Sequence, residues 1–121
     1  MNIKLSFSLA LFGLAFSLVY APLLDAQDQN RANSITFFEK GKQAYEQALF
    51  EQSIRLMEAS LDSPNESAQE DDARYYLYRS KLARDSAAIG SLVQDFVKKS
   101  NNRRYIKLAY VDWAEYALNQ H

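Results

Sequence analysis

Between Phe37 and Asn65 the chain reads FFEKGKQAYEQALFEQSIRLMEASLDSPN, with apolar residues recurring every three to four positions. That period matches one face of an α-helix. A polar break from Gln47 to Glu51 divides the stretch in two. The first half predicts a helix from about Ser34 to Gln47, with Phe37, Gly41, Ala44, Tyr45 and Ala48 along its inner side. Thr36 and Glu39 have capping-box spacing, and Ser34 is an equally good cap. The second half predicts a helix from Phe50 to Asp62, buried through Phe50, Ile54, Met57 and Leu61, with the small Ser53 near its start. A helix pair this short cannot bury its apolar stripe alone, so the pattern implies stacking on further pairs.

The same period continues beyond a strong break at Ser63-Pro64-Asn65-Glu66. There Ser63 suits a cap, Pro64 the first helical position, and Glu66 the capping-box acid. A third helix is expected to run to Arg84 through Ala73, Tyr76, Leu77, Ser80 and Ala83. Its acidic start (Glu66, Glu70, Asp71, Asp72) lies where the helix dipole favours negative charge. The glycine turn and alternating oxygen ligands of a calcium loop are missing there. Asp85-Ser86 breaks the chain again. A fourth helix follows from Ala87 to Lys99, burying Ala88, Leu92, Val93, Phe96 and Val97, with Gly90 placed for a close helix approach. After the Ser100-Asn101-Asn102 turn, a fifth helix is predicted from Arg103 to Asn119 with Ile106, Ala109, Tyr110, Trp113, Tyr116 and Ala117 inward. Tyr75 and Tyr78 fall on another side of helix three, either exposed or covering a neighbouring unit. No segment alternates as a strand does, so the expected class is all-α.

The N-terminus follows a different pattern. Lys4 precedes an apolar run from Leu5 to Ala21, and Leu24-Asp25-Ala26 follows. This is the layout of a secretory signal peptide over 1–26, cut after Ala26. The alternative is an uncleaved anchor, since a run of about 17 residues lies at the lower limit for spanning a bilayer. Residues 27–33 (QDQNRAN) read as a flexible start to a helical domain over 34–121. Losing Lys4 and Asp25 leaves the net charge at -1, which gives no reason to expect nucleic acid as a partner. The chain has no cysteine, hence no disulfide framework and no lipoprotein anchor, and a soluble periplasmic protein is the expected outcome. Asn65-Glu66-Ser67 matches a glycosylation triplet, a pattern that often arises by chance.

Internal repetition sharpens the picture. Tyr76-Leu77, Ser80 and Ala83 recur 34 residues later as Tyr110-Val111, Ala114 and Ala117, and Ser53 and Ala88 lie 35 apart. On these residues, with Phe37, Gly41, Tyr45, Phe50, Met57, Leu61 and Pro64, the chain resembles the tetratricopeptide repeat (TPR) family. Ser53 and Ser60 stand where alanines are usual, Ala48 where a turn glycine is usual, and Tyr45 one place late. The second unit, Gln69 to Asn102, is more degenerate, with Arg79 at the usual tyrosine. The succession of leader and degenerate repeats is similar to the start of long exported TPR proteins of Gram-negative bacteria. The resemblance implies helix hairpins stacked as a short right-handed solenoid. It also implies a concave partner-binding face lined by Phe38, Lys42, Tyr45, Arg104 and Lys107.

Little in the sequence points to catalysis. The single histidine is the last residue, His121, so nucleophile–histidine pairs and histidine–cysteine metal sets have no material. There is no phosphate-cradling glycine loop, and no cofactor is implied. The expected function is therefore a non-enzymatic scaffold or adaptor that holds another protein or peptide segment in the bacterial envelope. Two alternatives remain. Exposed tyrosines and the basic cluster Lys98, Lys99, Arg103, Arg104, Lys107 would suit a glycan or other envelope polymer. A bare apolar face on helix five would suit the structural end of a longer array, or self-association.

Overall fold

The computed structural model describes residues 28–63 and 67–120, and all regular structure among them is helical. The order is α1 (28–46), α2 (Phe50–Asp62), α3 (Ser67–Arg84), a 3₁₀ turn (Ser86–Ala88), α4 (Ile89–Lys99) and α5 (Arg103–Asn119). The class is all-α, as expected. The expected leader and the Pro64-Asn65-Glu66 turn lie outside the described residues. No helix among the described residues is long and apolar enough to cross a membrane.

α1 starts earlier than the apolar pattern suggests and takes in 28–33, the stretch expected to be flexible. The polar segment supports itself locally, for the Gln29 amide donates to Asn33 Oδ1 one turn on, at 3.0 Å. Thr36 and Ser34 are accordingly not caps. The Thr36 hydroxyl donates back to the Ala32 carbonyl at 2.9 Å, a bond made inside a helix. Ser34 is buried against α2.

α1 ends in a Schellman turn. The Leu49 amide donates to the Ala44 carbonyl at 2.8 Å, and the Ala48 amide donates to the Tyr45 carbonyl at 3.0 Å. This geometry puts Ala48 at φ 60°, the left-handed region that a Cβ disfavours. Ala48 is therefore an exposed turn residue rather than part of the inner side.

The α1–α2 contact is close and polar. A Cβ on Gly41 would lie 3.2 Å from Leu56 Cβ and 3.0 Å from Met57 Cε, so any larger residue would push these neighbours back by a few tenths of an ångström. Serine hydroxyls fill the remaining space. Ser34 donates to the Ser60 carbonyl at 3.2 Å, and Ser60 donates to the Ser34 carbonyl at 3.0 Å. Ser53 donates to the Gly41 carbonyl at 2.9 Å and accepts from Ser80 of α3 at 2.9 Å. Ala44, Ile54, Met57 and Ala73 close this half of the core.

The other half of the core gathers Tyr78, Ile89, Val93, Phe96 and Ala109, with Tyr75, Leu82, Trp113 and Tyr116 packed on it. Gly90 lies under Trp113, but Cζ2 of that ring would sit 3.4 Å from an added Cβ, an ordinary contact distance, so the approach of α5 does not require a glycine here. α4 begins two residues late, because Ser86–Ala88 forms a 3₁₀ turn first. Asn102 caps α5 by accepting the Tyr105 amide at 3.1 Å. Three positions expected inward face solvent instead: Ala83, Tyr110 and Ala117.

Two stability changes follow. Ala48→Gly removes the left-handed strain and should raise the unfolding free energy by about 1 kcal/mol in urea titration. Ser53→Ala and Ser80→Ala should each cost about 1 kcal/mol, and the double variant less than their sum, because both remove one shared hydrogen bond.

Candidate partner-binding face

Side chains on α1, α3 and α5 meet at sequence separations of 33 to 35 residues. Gln69 Nε2 donates to Ser34 Oγ at 3.3 Å, and Arg79 Nε reaches Tyr45 Oη at 3.5 Å. From α3 to α5, the Tyr78 hydroxyl donates to Asp112 Oδ2 at 2.9 Å and Arg79 Nη1 donates to the same oxygen at 2.8 Å. The Tyr105 hydroxyl donates to Asp72 Oδ1 at 2.6 Å. These three helices therefore lie in a repeating register.

Aromatic rings occupy the spaces between these bonds. Tyr76 of α3 packs edge-to-face on Phe38 at 6.1 Å and on Tyr45 at 5.3 Å, both on α1. Tyr45 also meets Phe50 edge-to-face at 5.8 Å, which fixes the ring beside the α1–α2 turn. Tyr75 stacks flat on Tyr105 of α5 at 4.2 Å, and Tyr78 stacks on Phe96 of α4 at 5.0 Å. Tyr75 and Tyr78 thus cover a neighbouring helix, the second of the two roles anticipated for them. Tyr78 is only 3 % exposed.

The electrostatics follow from these contacts. Burial, then the hydrogen bond to Asp112, pushes the Tyr78 hydroxyl well above the ordinary tyrosine range. The bond to Asp72, with burial second, pushes Tyr105 up to about 12, and burial also raises Tyr75. For Arg79, burial works against the charge, but the bonds to Tyr45 and Asp112 outweigh it and hold the guanidinium charged. The acidic start of α3 is also used internally. Glu70 pairs with Arg74 at 2.6 Å, Asp71 accepts the Asn101 amide at 3.4 Å, and Asp72 holds Tyr105. No group of three or more metal-binding side chains occurs among the described residues.

Of the five residues expected on the concave face, Phe38 and Tyr45 come together through Tyr76, with Lys42 between them on α1. Arg104 and Lys107 are exposed on α5 and form no ion pair among the described residues. They are also out of register. Advancing 38, 42 and 45 by two periods of 34 gives Ile106, Tyr110 and Trp113, not the two cations. Sequence reasoning missed Arg79, Asp112, Asp72 and Tyr105. Their one available signal was complementary polar residues spaced 33 to 34 apart.

A cleft between α3 and α4, lined by Leu77, Tyr78, Leu92 and Phe96 among others, has a volume of about 60 Å³. Small-molecule sites usually need roughly 300–1,000 Å³, so this cleft is too small to enclose such a ligand. What the arrangement offers is a strip of helix surface with rings, one guanidinium and one ammonium.

Stability should fall in strong alkali. Below pH 10 the three raised tyrosines are protonated in both the folded and unfolded chain, and their contribution is complete. Above it the unfolded chain loses these protons first, so the urea midpoint should drop as pH rises toward 12. Tyr105→Phe should be less stable at pH 8 by about 1 kcal/mol, with a shallower alkaline decline. Set beside known proteins, the chain matches no family model, no curated protein and no solved structure.

Proposed function

We propose that this protein is a non-enzymatic interaction module of the TPR-like type, exported to the periplasm as a scaffold or adaptor. Its hairpins stack as a short right-handed solenoid, and the first helix of each hairpin contributes to one partner-binding face. The observation that carries this reading is the register of α1, α3 and α5, in which equivalent positions meet at separations of 33 to 35 residues. A repeat of that length turns three separate helix surfaces into one continuous strip. On that strip, Lys42, Tyr45, Tyr76 and Arg79 keep part of their surface accessible, suited to an extended peptide bearing carboxylates.

A glycan-binding role has less support, because the tyrosines that would stack on a sugar are engaged. Tyr78 is buried and Tyr75 lies flat against Tyr105. The structural alternative, an end segment of a longer array, draws support from the exposed apolar residues of α5.

The test is capture of an envelope protein by immobilised wild-type chain, compared with Lys42→Glu at equal helicity by circular dichroism. Lys42 makes no ion pair among the described residues, so its reversal should leave the fold intact. Wild-type capture should fall by about tenfold or more in the variant, as expected when a positive contact becomes a like-charge clash. Equal capture by both proteins would move the binding face elsewhere.

A further inference from the structure

α5 carries a side that nothing among the described residues covers. Tyr110 is 50 % exposed, Val111 45 % and Leu118 74 %, far above what an internal helix of this size would leave open. Ala114 and Ala117 are exposed between them, and with Tyr110 and Trp113 they frame a shallow apolar hollow open to solvent. Two small residues beside two rings form a seat for a large side chain from another helix. The opposite end of the molecule differs. The outer side of α1 shows Thr36, Glu39, Lys40, Gln43 and Gln47 with Ile35 at its edge, so stacking one molecule's tail on another's head would bury Glu39 and Lys40 against an apolar surface.

The charges on α5 distinguish the remaining arrangements. Lys107 and Glu115 are exposed two helical turns apart, on either side of Val111 and Ala114, and neither is ion-paired among the described residues. A parallel helix pair would set Lys107 against Lys107. An antiparallel pair crossing near Val111 and Ala114 sets Lys107 of each copy beside Glu115 of the other. It also places Tyr110 of each copy over the alanines of the other. The surface is therefore self-complementary under a twofold axis, the commonest symmetry of protein dimers.

We infer that α5 is a dimerisation surface and that its occupant is a second copy of this chain, paired antiparallel about that axis. A helix of 17 residues is roughly 25 Å long, and one such strip per copy covers less than the roughly 1,600 Å² of a standard interface. On the two-period advance Tyr110 and Trp113 correspond to Lys42 and Tyr45, so this surface adjoins the α5 end of the strip around Lys42, and the cross-linking rate reads pairing independently of what that strip captures.

The absence of cysteine makes the test clean. Val111→Cys, Ala114→Cys and, on the polar end, Gln43→Cys are each made in the full chain and oxidised under identical conditions. The 111 variant, which meets its own copy at the axis, should form disulfide-linked dimers about tenfold faster than the Gln43 variant, whereas the 114 variant, set about 9 Å from its counterpart along the helices, should not. Adding Lys107→Glu should slow the reaction, and adding Glu115→Lys to that should restore it. Cross-linking no faster at 111 than at 43, or faster at 114 than at 111, would overturn the inference. So would a charge swap that fails to restore the rate, since that points to a covering element other than a second copy.

Discussion

The Asp112 carboxylate accepts from Arg79 at 2.8 Å and from Tyr78 at 2.9 Å, and this junction ties α5 to the rest of the chain. It matters because α3 must be packed on two sides at once. One side presents Ala73 and Ser80 to α2, and the other presents Tyr78 to α4 and α5. The Arg79 and Asp112 side chains keep 33 % and 20 % of their surface, so their charge attraction is worth only about 1 kcal/mol. Its larger effect is to fix the register between helices whose apolar contact alone would permit sliding. Asp72 and Tyr105 repeat the device two turns along.

The two halves of the core solve the packing problem with different chemistry. Around α1 and α2 the residues are small, and hydroxyls bond to carbonyls and to each other across the interface. Around α4 and α5 the residues are large and aromatic, and contact area dominates. A buried hydroxyl is tolerated only with a partner, since stranding it costs about 1–3 kcal/mol. The serines therefore specify one alignment of α1 on α2, with Gly41 setting how near the helices come. The exposed ion pairs, Arg84 with Glu51 and Lys81 with Glu58, add little to this.

The candidate face was partly visible in the sequence. Phe38, Lys42 and Tyr45 lie on one helix, and local period alone places them together. Their partners on α3 were not legible in the same way. Tyr76 repeated a core position, and Arg79 looked like a departure from a repeat pattern rather than the residue that joins Tyr45 to Asp112. Arg104 and Lys107 attracted notice as part of a charge cluster, yet clustering in sequence says nothing about which side of a helix faces a neighbour. The separation of 33 linking Asp72 to Tyr105 and Arg79 to Asp112 carries that information, and it emerges only when contacts are read between helices.

The sequence by itself determined the helical class, the bounds of α2 and α5, the end of α3, and the breaks at Gln47 to Glu51, Asp85 and Asn102. These depend on period, caps and turn residues, all interactions within a few positions of one another. Tertiary structure alone decided that Ser34 is a buried bridge and not a cap, that Tyr78 is inside while Tyr110 is half outside, and that Ala48 sits in a left-handed turn. Burial is a property of pairs of surfaces. A helix's own residues cannot say which of its sides a neighbour will cover, because hydroxyls and tyrosines are compatible with either environment until a partner is in place.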